Sequence, residues 1–150
     1  MGLLQFVSLA YKPWRQVPTS ADEAASRRLI DAIRAVDGPV LVYDRGYLAR
    51  LAGKPGHASR VPVYALNGQA ARDVSAQFLD AICKGRYAAV VLTSPQGFAP
   101  ELAYRYLPAE RILPEHTVPR TVTFSDPNPN LLYRRRPPGD LPPAGQACGR

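Results

Sequence analysis

Apolar side chains recur along this chain with two different periods, and the places where one gives way to the other predict its elements. Between residues 20 and 36, Ala25, Leu29, Ile30, Ile33 and Val36 fall at three- and four-residue steps, the spacing that lines one face of an α-helix. Ser20 stands before this run as the expected N-cap, and Glu23 three positions on is the reciprocal partner of a capping box. Gly38 can end the helix in the left-handed conformation, and Pro39 forbids its continuation. Val40–Tyr43 is then a continuous apolar run with β-branched Val40 and Val42, the pattern of a strand covered on both faces.

The same alternation continues downstream. Asp44-Arg45-Gly46 predicts a turn, Tyr47–Ala52 a short helix, and Gly53-Lys54-Pro55-Gly56 its end. Val61–Leu66 reads as a second strand, followed by a turn at Asn67-Gly68. Val74, Phe78, Leu79 and Ile82 then mark the buried stripe of a helix of about fourteen residues ending near Gly85. Tyr87–Thr93, with Ala-Ala-Val-Val-Leu at its centre, is a third buried strand closed by Ser94-Pro95. Beyond it, Pro100–Tyr106 predicts a helix, and Ile112–Leu113 and Arg120–Phe124 predict short strands. Leu131–Arg135 predicts a last strand after the turn-rich Asp126-Pro127-Asn128-Pro129-Asn130. Strands that alternate with helices imply an α/β fold, here a three-layer α/β/α sandwich with a mostly parallel sheet and right-handed crossovers. The late hairpin signals add an antiparallel edge hairpin.

Composition changes this picture mainly at the ends. A chain of 150 residues fits one core, and its 46% apolar content is ordinary for a globular domain. Its sixteen prolines are about twice the usual share of roughly 5%, and they collect in loops and at the termini. The reading is therefore a membrane-proximal segment and linker over residues 1–19, an α/β domain over 20–136, and a disordered Pro- and Gly-rich tail over 137–150. Leu3–Tyr11 is apolar but too short to span a bilayer, and it lacks the basic start and cleavage site of a secretory signal. It reads as a first strand, a core helix, or the end of a membrane helix followed by interfacial Tyr11 and Trp14.

The net charge of +7 is spread thinly: from Leu131 onward four arginines and one acid supply +3, leaving +4 over the body. No basic helix, stacking aromatics or recognition motif accompanies it, so nucleic acid is not the expected partner. Arg134–Arg136 is either a solvated strand end or a point of attraction to anionic headgroups.

Catalytic and cofactor motifs are missing from their places. Gly53-Lys54 lacks both the earlier glycine of a phosphate loop, Leu48 standing there, and its Ser or Thr, replaced by Pro55. There is no GxGxxG after the first strand, no GxSxG elbow and no HExxH, so no catalytic residue, cofactor or metal is expected. Cys83 and Cys148 have neither CxxC spacing nor the density of a disulfide scaffold, and Cys83 reads as a small core residue on its helix. Ligands of open α/β sheets sit outside the carboxyl ends of the strands. That position belongs to Asp44, Arg45 and Gly46 after one strand and to Thr93, Ser94 and Gln96 after another. The candidate ligand-binding residues are Asp44, Arg45, Tyr47, Lys54, His57 and Ser94, each with a structural alternative: Asp44 can cap the short helix, and Lys54 can cap a turn.

Several short elements come in a distinctive order. Gln5 precedes Tyr11-Lys12-Pro13, then Pro18-Thr19 with Asp22, a helix, Gly38-Pro39-Val40-Leu41-Val42, and Tyr47-Leu48-Ala49-Arg50-Leu51-Ala52-Gly53-Lys54-Pro55. Gly85-Arg86-Tyr87 and Val90-Val91-Leu92 follow. From about Leu3 to Tyr133 this resembles the C-terminal soluble part of bacterial GT-C membrane glycosyltransferases, relatives of protein mannosyltransferases and aminoarabinose transferases. It departs from that pattern at Tyr43-Asp44-Arg45-Gly46, where Pro-x-His is frequent, and at His57-Ala58, where Ala-His is commoner. The resemblance implies a periplasmic or extracytoplasmic domain without its own catalytic centre, attached to the transmembrane part of the same polypeptide in a bacterial inner membrane. The acid that activates the acceptor and the polyprenyl-phosphate sugar site would lie in that membrane part. Its expected partners are a lipid-linked sugar or glycan acceptor and the membrane surface. Two alternatives stand beside it: a free-standing small α/β enzyme or nucleotide-binding module, and a membrane-surface or partner-binding domain.

Overall fold

In the computed structural model, residues 17–57, 68–95, 97–114, 117, 129–141 and 148 are described. The expected strands at Val61–Leu66 and Arg120–Phe124 and the apolar Leu3–Tyr11 segment lie outside them. The first helix, α1, is Ser20–Arg34. Its N-cap is Thr19, one residue before the expected Ser20: the Thr19 hydroxyl accepts the Asp22 N–H at 3.2 Å, and the Asp22 carboxylate accepts the Thr19 N–H at 2.9 Å. Glu23, freed from the capping role, pairs instead with Arg27 one turn on, at 2.5 Å. Ala25, Leu29 and Ile33 form the buried face, as the four-residue spacing requires.

Gly38 turns the chain with φ +103°, and a β-carbon there would sit 3.1 Å from that of Ala88. The turn delivers β1, Val40–Val42, all three residues buried. The short helix α2, Tyr47–Leu51, follows, then α3, Gly68–Cys83, β2, Ala89–Leu92, and α4, Ala99–Arg105. The chain closes with β3, Glu110–Arg111, β4, Leu131–Arg134, and a 3-10 turn over Pro138–Asp140.

The four strands form one mixed sheet in the order β1-β2-β4-β3. β1 and β2 are parallel, with Val40 opposite Ala89 and Val42 opposite Val91. β4 runs antiparallel to β2 on one side and to β3 on the other. Parallel pairing is thus confined to β1 and β2 among the described residues, where a mostly parallel sheet was expected. The expected antiparallel edge pair exists as β3 and β4, but β4 lies inside the sheet rather than at its margin. The physical reason is its composition: Leu132 and Tyr133 are both buried and point to opposite faces, so both faces of β4 need cover.

Alternation along the strands divides the core in two. Val40, Val42, Ala89, Val91 and Leu132 meet Ala25, Leu29 and Ile33 of α1 and Leu48 and Ala49 of α2. Leu41, Val90, Leu92 and Tyr133 meet Phe78 and Ile82 of α3 and Leu102 of α4. Val40, Val90 and Val91 have no exposed surface, and burial of such a side chain stabilises the fold by about 1.5–3 kcal/mol.

Two features of the end of the chain differ from the expectation. Cys83, the last residue of α3, is joined by a disulfide to Cys148, with 5.5 Å between their α-carbons. It is therefore a cross-link rather than a small core residue. The tail expected to be disordered contains the 3-10 turn, where Arg136 pairs with Asp140 at 3.4 Å, and the bonded Cys148.

Candidate functional site

β1, β2 and β3 all run in one direction, so their carboxyl ends lie together, and the loops that leave them build a polar rim. Tyr43 continues β1 by donating its N–H to the Val91 carbonyl at 3.3 Å. Its ring meets Phe78 and Phe98 edge-on at 5.0 and 4.9 Å, which anchors the loop that follows. Asp44 is thereby held so that its carboxylate accepts the Thr93 N–H at 2.7 Å, bridging the loop after β1 to the loop after β2. The Arg45 carbonyl accepts the Leu48 N–H at 2.9 Å and so opens α2, which leaves Tyr47 at its first position with half its surface exposed. Ser94 and Pro95 follow Thr93, and the Pro95 carbonyl accepts the Phe98 N–H at 3.0 Å to start α4.

β3 reaches the same rim. Arg111 lies opposite Leu131, which in turn lies opposite Leu92, the last residue of β2. Arg111 was not among the candidates, because the pattern put the strand two residues later, over Ile112–Leu113. The only local signal for it was a cation directly before that apolar pair. The rim is completed by Asn130, whose N–H is donated to the Leu92 carbonyl at 3.1 Å.

The six candidate residues therefore separate into two groups. Asp44, Arg45, Tyr47 and Ser94 share the carboxyl rim, with Thr93 as the link between its loops. Lys54 and His57 belong to the opposite end of the sheet. The Lys54 ammonium donates to the Val36 carbonyl just past α1, where the carbonyls that end a helix attract a cation. Its own N–H goes to the Ala49 carbonyl at 2.9 Å and closes α2. The His57 ring packs edge-on against Tyr87 at 5.0 Å, two residues before β2 begins. Burial lowers its pKa, and its Nε2 is enclosed without a hydrogen-bond partner among the described residues.

Chemically, the carboxyl rim gathers one acidic residue, Asp44, two arginines, Arg45 and Arg111, and three hydroxyl-bearing residues, Tyr47, Thr93 and Ser94, at the ends of three strands, a set suited to hydrogen-bonding a hydroxylated or anionic ligand. Among the described residues no three His, Cys, Asp or Glu side chains gather as metal ligands, and no helix is long and apolar enough to cross a membrane. Compared with family models, curated proteins and solved structures, the chain finds no match.

Proposed function

We propose that this chain is a non-catalytic accessory domain of a bacterial membrane glycosyltransferase, on the periplasmic or extracytoplasmic side, contributing to glycan or lipid-linked acceptor binding. The observation that carries the reading is how the residues of the resemblance are used. Gly53-Lys54 closes α2 and caps the end of α1 through the Lys54 ammonium. Gly85-Arg86 closes α3: Gly85 has φ +60°, and the Arg86 N–H is donated to the Ala81 carbonyl at 3.0 Å. These motif residues serve the framework, as an appended lobe whose chemistry lies elsewhere requires. The Cys83–Cys148 bridge supports the placement, since disulfides persist in oxidising compartments and are rare in reducing ones. The two core clusters, one on each face of the sheet, fit a three-layer arrangement.

The test has two arms. The reading frame upstream of Met1 is expected to continue through apolar spans of about 20 residues each. A stop codon and ribosome-binding site immediately before Met1 would remove the membrane assignment. The purified chain, supplied with polyprenyl-phosphate sugar and a glycan acceptor, is expected to produce no transfer; turnover by the chain alone would remove the accessory role.

A further inference from the structure

The short helix α2 has a face that its core contacts leave unused. Leu48 and Ala49 enter the core beside α1, as does Ala52 just past the helix. At about 100° per residue, Tyr47, Arg50 and Leu51 fall together on the opposite face. Three large apolar side chains are exposed among the described residues, and two of them, Tyr47 at 51% and Leu51 at 57%, stand one turn apart there. Neighbouring contacts fix how this face is presented. The Arg34 guanidinium donates to the Leu51 carbonyl at 3.4 Å and ties the end of α2 to α1. The stem of the exposed Arg50 lies against Gly56, where a β-carbon would sit 2.7 Å from the Arg50 Nε.

Charge gathers along the same part of the chain. From Arg45 to Arg72 there are five cations and no Asp or Glu, so this stretch supplies +5 of the net +7. The other residues before Leu131 hold ten cations against eleven acids. Within the basic stretch, Arg50 stands on the outer face of α2, and Lys54 follows on the turn that closes the helix. Among the described residues neither is ion-paired to a carboxylate. The Lys54 ammonium meets the Val36 carbonyl, a neutral group that leaves its charge in place. Guanidinium groups match phosphate oxygens with paired N–H donors.

We propose that the outer face of α2 docks on an anionic bilayer surface, a reading that rests on the accessory-domain function above. Tyr47 and Leu51 enter the interface, where an amphipathic tyrosine ring is well placed, and Arg50 meets headgroup phosphates. Charge complementarity selects this occupant: a basic helix free of acids, with apolar side chains beside its cation, matches an anionic surface that is apolar just beneath its headgroups. A second copy of the chain fits worse, since a two-fold contact through α2 would set Arg50 against its own counterpart. Two apolar side chains are also far fewer than the 20–30 residues a side of roughly 800 Å² that a stable protein interface uses. In a domain carried by a membrane protein, attachment supplies the high local concentration of lipid that lets so small a face act.

The experiment measures partitioning of the whole chain onto vesicles rich in phosphatidylglycerol and onto vesicles of phosphatidylcholine alone, at about 50 and about 200 mM NaCl. Expected is partitioning onto the anionic vesicles that weakens with salt and is weaker on the neutral ones. The double variant Tyr47→Ser and Leu51→Ser is expected to lose about tenfold or more. Arg50→Gln is expected to lose about fivefold. Arg72→Gln, which removes a cation of the same basic stretch from α3 on the other face of the sheet, is expected to lose less than about twofold. All three sites are exposed, and circular dichroism and melting temperature check that each variant keeps the fold. Absence of partitioning onto the anionic vesicles, an unchanged double variant, or equal losses in Arg50→Gln and Arg72→Gln would overturn the proposal. So would a dimer in sedimentation velocity that the double variant dissolves, since it would give the face to a second copy. Any of these failures leaves the accessory-domain reading to its own test. Partitioning that follows the variants alongside a failed upstream reading frame would keep the α2 surface and discard the glycosyltransferase.

Discussion

Asn130 uses its side-chain amide as a strand uses its backbone. Its Oδ1 accepts the Leu113 N–H at 2.7 Å and its Nδ2 donates to the Leu113 carbonyl at 2.8 Å, with the side chain buried. Replacing it strands two backbone groups away from water. Asn130→Ala is therefore expected to destabilise the fold by about 2–4 kcal/mol, read as a lower urea midpoint with an unchanged slope. Within Asp126-Pro127-Asn128-Pro129-Asn130 nothing distinguishes this asparagine from its turn-forming neighbours, since its partner lies seventeen residues away. The cap of α1 shows the opposite case. A capping box was legible there, and only its register was ambiguous, because Thr19-Ser20 and Asp22-Glu23 offer two equivalent pairs one residue apart. Hydrogen bonding to Thr19 holds the Asp22 carboxyl below its ordinary value, as capping requires.

Among the elements, α4 is held by Leu102 in the core and, at its end, by a buried polar contact. The Tyr106 hydroxyl donates to the Tyr87 carbonyl at 3.2 Å, fastening the end of α4 to the approach of β2. Burial pushes the Tyr106 phenol up to about 12, partly offset by the nearby Arg135. A folded-state value raised above the ordinary 10.0 means that the folded protein holds this proton more tightly than the unfolded chain. The resulting stability is fully present below pH 10 and is lost as the pH rises through about 12. Melting temperatures followed across that window are expected to fall steeply for the native chain and less steeply for Tyr106→Phe. The variant keeps part of the decline because burial also raises Tyr87 and Tyr133. Helices with long apolar stripes were legible as elements, α1 and α3 above all, as were the buried cores of β1, β2 and β4. The strand β3 was not: its two exposed residues carry no apolar signal, and only pairing with β4 makes them a strand.

For the whole molecule, the Cys83–Cys148 bridge is the longest covalent closure, with a sequence separation of 65 that encloses β2, α4, β3 and β4. Closing a loop of that size restricts the unfolded chain by roughly 4 kcal/mol in the chain-entropy account. Cys83→Ser, or reduction of the native chain, is expected to lower the free energy of unfolding by about 2–4 kcal/mol. Denaturant titrations with and without dithiothreitol measure it. Two thiols that react freely in the folded, unreduced protein would contradict the bridge. The distribution of charge is likewise a property of the whole: read linearly the +7 looked diffuse, whereas folding brings Arg105 and Arg135 onto the carbonyls that end α3.

The sequence by itself determined what depends on near neighbours. Helical stripes, the strand interiors, the glycine and proline stops, and the loop positions of Asp44, Arg45 and Ser94 all follow from spacing within a few residues. Tertiary structure alone decided which strands are neighbours, that Lys54 and His57 leave the rim for the far end, and that two distant cysteines bond. Each of these depends on contacts between residues far apart in the chain, and their energy appears only once packing has brought those residues together.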